Sequence, residues 1–275
     1  MKLKLVGYES GVLMLDSQMD RQEVIRRELA WHEQESHRRY RLDALLYDSP
    51  AFDDIVQHSI DFLQSEPGEL VLDMGCGEGK ETLQLAMRGF HVVGTDLSLT
   101  QMARARELIH QEMPEANVTF IQANAEQLPF AGNSFHRIYG KAILHHLDLD
   151  GSSKETYRLL NSHGRAAFAE PMSRHFIIWL GRRMTPKFRT EDEQPMELGD
   201  LEQFGEQFDQ SQTQTYYLLA PLAYVVRLLP GSESLFAALH AWLAGLDQKM
   251  LAHFNFLRRF AWYGAVRVKI GEKEQ

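Results

Sequence analysis

Between Glu69 and Pro171, short apolar runs alternate with stretches whose apolar residues recur every three or four positions. The runs Leu70–Met74, His91–Asp96, Val118–Gln122, Phe135–Tyr139 and Arg165–Glu170 predict strands. The periodic stretches Lys80–Arg88, Leu99–Gln111 and Gly151–Leu160 predict helices between them. Such alternation requires crossover connections, and so a mostly parallel α/β sheet covered on both faces. Thr213–Leu219 and Gly264–Ile270 supply two further strands.

The flanks have a different pattern. Lys2–Val6 and Val12–Leu15 predict a small hairpin, and Asp16 or Ser17 offers the N-cap of a polar helix reaching about Tyr40. A second helix, Phe52–Leu63, precedes the Pro67-Gly68 turn. Residues 1–66 therefore read as an N-terminal helical cap on a domain spanning 67–275. Within that domain, 171–211 is a connection and 221–260 a long apolar helical insertion. From Leu235 onward, Phe236, Leu239, Trp242, Leu243, Leu246, Met250, Phe254 and Leu257 describe one apolar helix face. That face reads as ordinary core, as a lipophilic acceptor pocket, or as a surface toward a membrane or a second subunit.

Composition narrows the class. Hydrophobic residues at 44% and charged residues at 24% suit a folded soluble chain of 275 residues. A net charge of -9 disfavours an extended nucleic-acid surface, although Arg38, Arg39 and Arg41 form a local basic cluster. The single cysteine, Cys76, cannot form an internal disulfide, so a reducing cytoplasm is expected. The start, MKLKLVGYES, lacks the apolar core of a signal peptide, and no apolar run reaches the ~18 residues of a spanning helix. Arg189–Pro195 is too charged for a core and reads as a rim loop.

Candidate chemistry centres on VLDMGCGEGKE, a strand, a glycine turn and a helix start. Gly75, Gly77 and Gly79 permit a sharp turn and leave room for a ligand beside the backbone, while a purely structural turn is the plainer alternative. Asp96 closes the next strand roughly 20 residues beyond the first glycine, where a carboxylate can hold both ribose hydroxyls. Position 80 is Lys, so the G-x-G-x-x-G dinucleotide pattern is not met. An adenosine without a pyrophosphate fits better.

In order along the chain, VLDMGCGEGKE, GTDLS, NAEQLPF and AILHHL resemble the motifs of class I S-adenosylmethionine-dependent methyltransferases. Their spacing is most similar to the ubiquinone/menaquinone-biosynthesis-like (methyltransferase type 11) group, over Val71 to Pro171. The resemblance implies a Rossmann-like sheet of seven strands with an antiparallel last strand. It also implies S-adenosylmethionine as cofactor, S-adenosylhomocysteine as product, and a small-molecule acceptor chosen by the flanking segments. Asp73 and the Gly75–Gly79 turn, Cys76 included, would hold the methionine part. Asp96 would hold the ribose, Leu97 would pack beside the adenine, Asn124 and Ala125 would meet its edge, and Lys141 would face the reacting centre. Cys76 reads as a small turn residue rather than a nucleophile.

Two positions depart from that pattern. Ala123-Asn124 stands where Gly-Asp is usual, and His136 stands where Asp is usual; His136 reads as structural. These departures keep open a cofactor-binding partner subunit without catalysis, beside the more distant alternative of an NAD(P)-dependent oxidoreductase. Candidates for a general base are His145, His146, Glu170 and His175, with His145 narrowly preferred. Glu170 reads equally as a substrate-side acid or as a loop anchor. Adjacent histidines lack the i, i+4 spacing of zinc ligands and no cysteine pair exists, so no metal site is expected.

Overall fold

The predicted strands form in the structure, a computed structural model that describes residues 21–30, 33, 50–64, 66–176, 179, 196–229 and 231–271. They are β1 (Leu70–Met74), β2 (His91–Asp96), β3 (Val118–Gln122), β4 (Phe135–Lys141), β5 (Leu160–Pro171), β6 (Gln210–Tyr216) and β7 (Tyr263–Lys269). The sheet order is β3-β2-β1-β4-β5-β7-β6. Strands β1 to β5 pair in parallel, and β7 lies antiparallel between β5 and β6. The expected seven-stranded, mostly parallel sheet with an antiparallel last strand is thus present.

The chain first builds outward from β1 to β3 and then returns to start β4 on the other side of β1. That reversal opens a crevice at the carboxyl ends of β1 and β4, the place where open α/β sheets bind ligands. The helices, in chain order, are α1 (21–30), α2 (Pro50–Leu63), α3 (Lys80–Met87), α4 (Leu99–Glu112), α5 (Leu149–Leu159), α6 (Leu198–Gly205) and α7 (Glu233–His253). Val56, Ile60 and Leu63 of α2 are buried with Val71, Leu85, Tyr139 and Ala167. The sequence assigns α2 to an N-terminal cap, but its apolar side belongs to the helical layer of the sheet.

Other differences have local causes. Strand β6 lies three residues earlier than Thr213–Leu219. The Asp247 carboxylate accepts the N–H groups of Leu218, Leu219 and Ala220, which draws them out of the sheet. The insertion is not one helix: 3-10 turns at Ala220–Leu228 and Asn255–Phe260 flank α7. Nor does α7 have a single apolar face. It buries Phe236, His240, Leu243, Asp247 and Leu251 and leaves Leu235, Trp242 and Leu246 exposed. Two neighbouring stripes had merged in the periodicity, because residues one apart sit only about 100° apart around a helix. The N-terminal hairpin, the arginines at 38, 39 and 41, and Arg189–Pro195 lie outside the described residues.

Candidate cofactor and acceptor site

At the end of β1 the backbone enters left-handed conformations at Gly75 (φ 74), Gly77 (φ 50) and Gly79 (φ 83). The N–H groups of Gly75 and Cys76 donate to Thr95 O at 2.8 and 2.9 Å, which ties the turn to β2. A Cβ on Gly79 would stand 2.7 Å from Ala105 Cβ, and one on Gly75 would stand 2.8 Å from Ile143 Cδ1. Gly79→Ala therefore meets both backbone strain and a clash. We expect it to lose at least about 1–3 kcal/mol of stability, read as a lower melting temperature.

Asp96 sits where β2 ends. Its Oδ2 accepts the Gly77 N–H and its Oδ1 accepts the Ser98 N–H, each at 2.9 Å. Each oxygen keeps a second lone pair for a ligand hydroxyl. Ser98 then caps α4 by accepting the Gln101 N–H at 3.2 Å. Leu97 is half-buried between these two, Ala125 is buried, and Asn124 Oδ1 accepts the Glu126 N–H at 3.0 Å in a local turn. Burial pushes the Cys76 thiol up, so it stays neutral and is no nucleophile.

Asp73 is enclosed beneath the turn, and Thr82 Oγ1 of α3 donates to its Oδ2 at 2.5 Å. Burial, only partly offset by that bond, raises its pKa to about 7. The folded protein therefore holds this proton more tightly than the unfolded chain. Stability from Asp73 is full below about pH 4 and is lost as the pH rises through about 7. In Asp73→Asn, the decline in melting temperature over that interval should flatten. A decline as steep as in the native protein would assign the slope to other groups.

Lys141 Nζ lies 2.6 Å from Glu81 Oε1, and Arg104 is paired in the same way with Glu78 at 2.6 Å. Two cations near the turn are thus held by glutamates, while the acidic side chains of Asp73 and Asp96 flank it. A neutral nucleoside joined to a sulfonium and an ammonium fits this donor set; a pyrophosphate does not.

Beyond β4, residues Leu144–His146 form a single 3-10 turn. Glu170, fully buried at the end of β5, holds that turn. Its Oε1 accepts the N–H groups of Ile143 and Leu144 at 2.9 and 2.8 Å, and its Oε2 lies 2.7 Å from His145 Nδ1. A carboxylate only accepts, so Nδ1 carries the imidazole proton and Nε2 is the basic nitrogen. The neighbouring ring lies against it, centroids 4.1 Å apart and tilted by 40°, but has a different carboxylate partner, with His146 Nδ1 lying 3.1 Å from Glu28.

Glu28 is on α1, which ties together the loops around the crevice. Arg21 binds Glu126 after β3 and donates to His146 O after β4. Glu33, just beyond α1, accepts from Ser98 Oγ at 2.8 Å and from Thr100 after β2. None of Arg21, Glu28, Glu33 or Glu126 stands out in the sequence, because each gains its role from a partner far along the chain. His136 and His175 are structural. His136 Nδ1 accepts the Leu70 N–H at 3.2 Å. His175 donates from Nε2 to Leu218 O at 3.0 Å, stacks on Trp262, and is kept neutral by burial. Among the described residues, no cluster of three or more His, Cys, Asp or Glu side chains is placed to hold a metal.

The family described as "Methyltransferase domain" matches residues 71–164. Methyltransferase GfsG of Streptomyces halstedii is 38% identical over 110 residues, covering 39% of this chain and 40% of the relative. The 2-phytyl-1,4-naphtoquinone methyltransferase of Nostoc sp. is 30% identical over 125 residues, covering 43% and 55%. The chain thus spans about half the length of these relatives. Among solved structures, geranyl diphosphate C-methyltransferase of Streptomyces coelicolor A3(2), bound to geranyl diphosphate and S-adenosyl-L-homocysteine, superposes with a TM-score of 0.56 at 13% identity. That likeness covers 81% of this chain and 79% of the other, and it concerns the fold. The family match begins in β1 and ends inside β5, so this part of the chain is similar to a methyltransferase domain, and its sheet has the strand order of the Rossmann-like methyltransferase fold.

Proposed function

We propose that the protein methylates a small lipophilic acceptor on oxygen or carbon, with His145 as general base and Glu170 as the residue that positions it. The observation that carries this reading is the His145–Glu170 pair at the carboxyl edge of the sheet, beside the glycine turn. When bound, S-adenosylmethionine supplies a methyl carbon already activated on a sulfonium. The chain's own work is then to orient and deprotonate. The backbone of Gly75–Gly79 and the Asp96 carboxylate hold the nucleoside, and Leu97, Asn124 and Ala125 border the adenine. The Glu81–Lys141 pair meets the zwitterionic end, the carboxylate of Glu81 drawing an ammonium and Lys141 a carboxylate. Nε2 of His145 takes the proton from an acceptor hydroxyl or acidic carbon. Helix α1, tied down over the loops, keeps water away from the crevice.

The lipophilic acceptor is supported by the buried aromatic cluster of Tyr217, Tyr224, Phe236 and Trp262 next to β7. It is also supported by relatives named for a naphthoquinone and a geranyl diphosphate substrate. Work in a reducing cytoplasm accords with the buried thiol of Cys76.

A panel of prenylated quinols, phenols and prenyl diphosphates, with S-adenosylhomocysteine formation as the readout, tests the reaction. His145→Ala should slow turnover about 100-fold or more. Its affinity for S-adenosylmethionine should stay within about twofold. Tight cofactor binding with no turnover of any acceptor would favour the partner-subunit role instead.

A further inference from the structure

Helix α7 has a second apolar stripe that nothing in the chain's described residues covers. Its buried side is Phe236, His240, Leu243, Asp247 and Leu251. Leu235, Trp242 and Leu246, spaced by seven and four, point outward with exposures of 56%, 66% and 37%. Alanines 237, 238 and 241 and Gly245 fill the surface between them. An amphipathic helix of a globular domain normally turns charge to solvent on that side. The exposure is also concentrated. Of the thirteen exposed large apolar side chains among the described residues, nine lie between 222 and 260, including Phe254, Phe256 and Phe260 just beyond α7.

The charge of this segment is opposite to that of the chain. Net charge overall is -9, yet from Ser234 to Phe260 the sole acid is Asp247. That acid is buried, and its carboxylate is engaged by the N–H groups of residues 218–220. Lys249 and His253 continue the exposed stripe at its C-terminal end, and Arg258 and Arg259 follow between the exposed phenylalanines. An uncovered Leu/Trp/Phe surface with a basic margin complements an anionic lipid surface.

Size argues against a second copy of the chain as the occupant. From Leu235 to Phe254, where the adjoining turn begins, the surface is about 29 Å long and about 10 Å wide, roughly 290 Å². A stable protein interface needs on the order of 800 Å² per partner, well over twice as much. Insertion of a few side chains into a bilayer surface has no such minimum.

We propose that the exposed face of α7 and the adjoining Phe254–Phe260 turn form a membrane-surface site that docks the protein on anionic phospholipid. No helix of the described residues is long and apolar enough to span a bilayer, so this contact is interfacial. The site is separate from His145 and Glu170, and its test does not depend on methyl transfer.

The test is co-sedimentation of the full chain with vesicles of phosphatidylcholine alone and of phosphatidylcholine mixed with phosphatidylglycerol. The native protein should pellet with the mixed vesicles, less with phosphatidylcholine alone, and release as salt rises. Its tryptophan fluorescence should shift to the blue on binding. Trp242→Glu should weaken partitioning about tenfold or more, the loss expected when one large apolar side chain no longer inserts. Arg259→Glu should remove the preference for anionic vesicles. Both positions are exposed, so circular dichroism melts should match the native protein. Native protein that stays in the supernatant with mixed vesicles would overturn the proposal. So would a native dimer in sedimentation equilibrium that Trp242→Glu converts to monomer.

Discussion

Glu170→Gln should reduce turnover by about 100- to 10,000-fold while leaving the fold and cofactor affinity intact, the range seen where a histidine's orienting carboxylate becomes an amide. The reasoning rests on which atoms can donate. The Gln carbonyl oxygen replaces Oε1 and still accepts the N–H groups of Ile143 and Leu144. The amide NH₂ then faces His145 Nδ1, which must become an acceptor, and the imidazole proton moves to Nε2. A base becomes a donor without moving. Nitrogen chemical shifts of His145 should report the change of tautomer, which a purely structural role would not produce. If turnover stays at the native level, Glu170 is a loop anchor and nothing more.

Asp96→Ala should weaken binding of S-adenosylhomocysteine by about 1.5–3 kcal/mol, roughly ten- to 150-fold, the usual cost of lost hydrogen bonds to a charged group. Two losses combine here. The ribose loses its acceptor, and the N–H groups of Gly77 and Ser98 lose the carboxylate that fixes the turn and the start of α4. Asp96→Asn keeps one acceptor oxygen and should fall between the two. Unchanged affinity by titration calorimetry would remove Asp96 from the cofactor site and, with it, the main support for a nucleoside at this crevice.

Inner parallel strands read as apolar runs, which makes β1 and β2 legible to the residue, and the edge strand β3 is legible from its β-branched and aromatic residues Val118, Thr119, Phe120 and Ile121. Strand β6 is an edge strand with polar residues over Gln210–Gln214, so it carries little apolar signal and was displaced by three residues. The glycine turn and Asp96 are legible because their work is local: a backbone that must reverse, and a carboxylate at a strand end. The two readings of Glu170 stayed open in sequence because the decisive partners lie 25 to 27 residues away. Arg21 is the extreme case, separated from Glu126 by 105 positions with no local pattern to mark either one.

The amino-acid sequence by itself determined the class of fold, the position of the glycine turn after β1 and the list of candidate bases, since periodicity, glycine conformation and residue chemistry act over a few neighbouring residues. Tertiary structure alone decided which histidine pairs with Glu170, which nitrogen of it is basic, and which of two adjacent stripes on α7 is buried. Those outcomes depend on where distant segments meet. A hydrogen bond or an ion pair is settled by ångströms of separation, and no spacing along the chain encodes that.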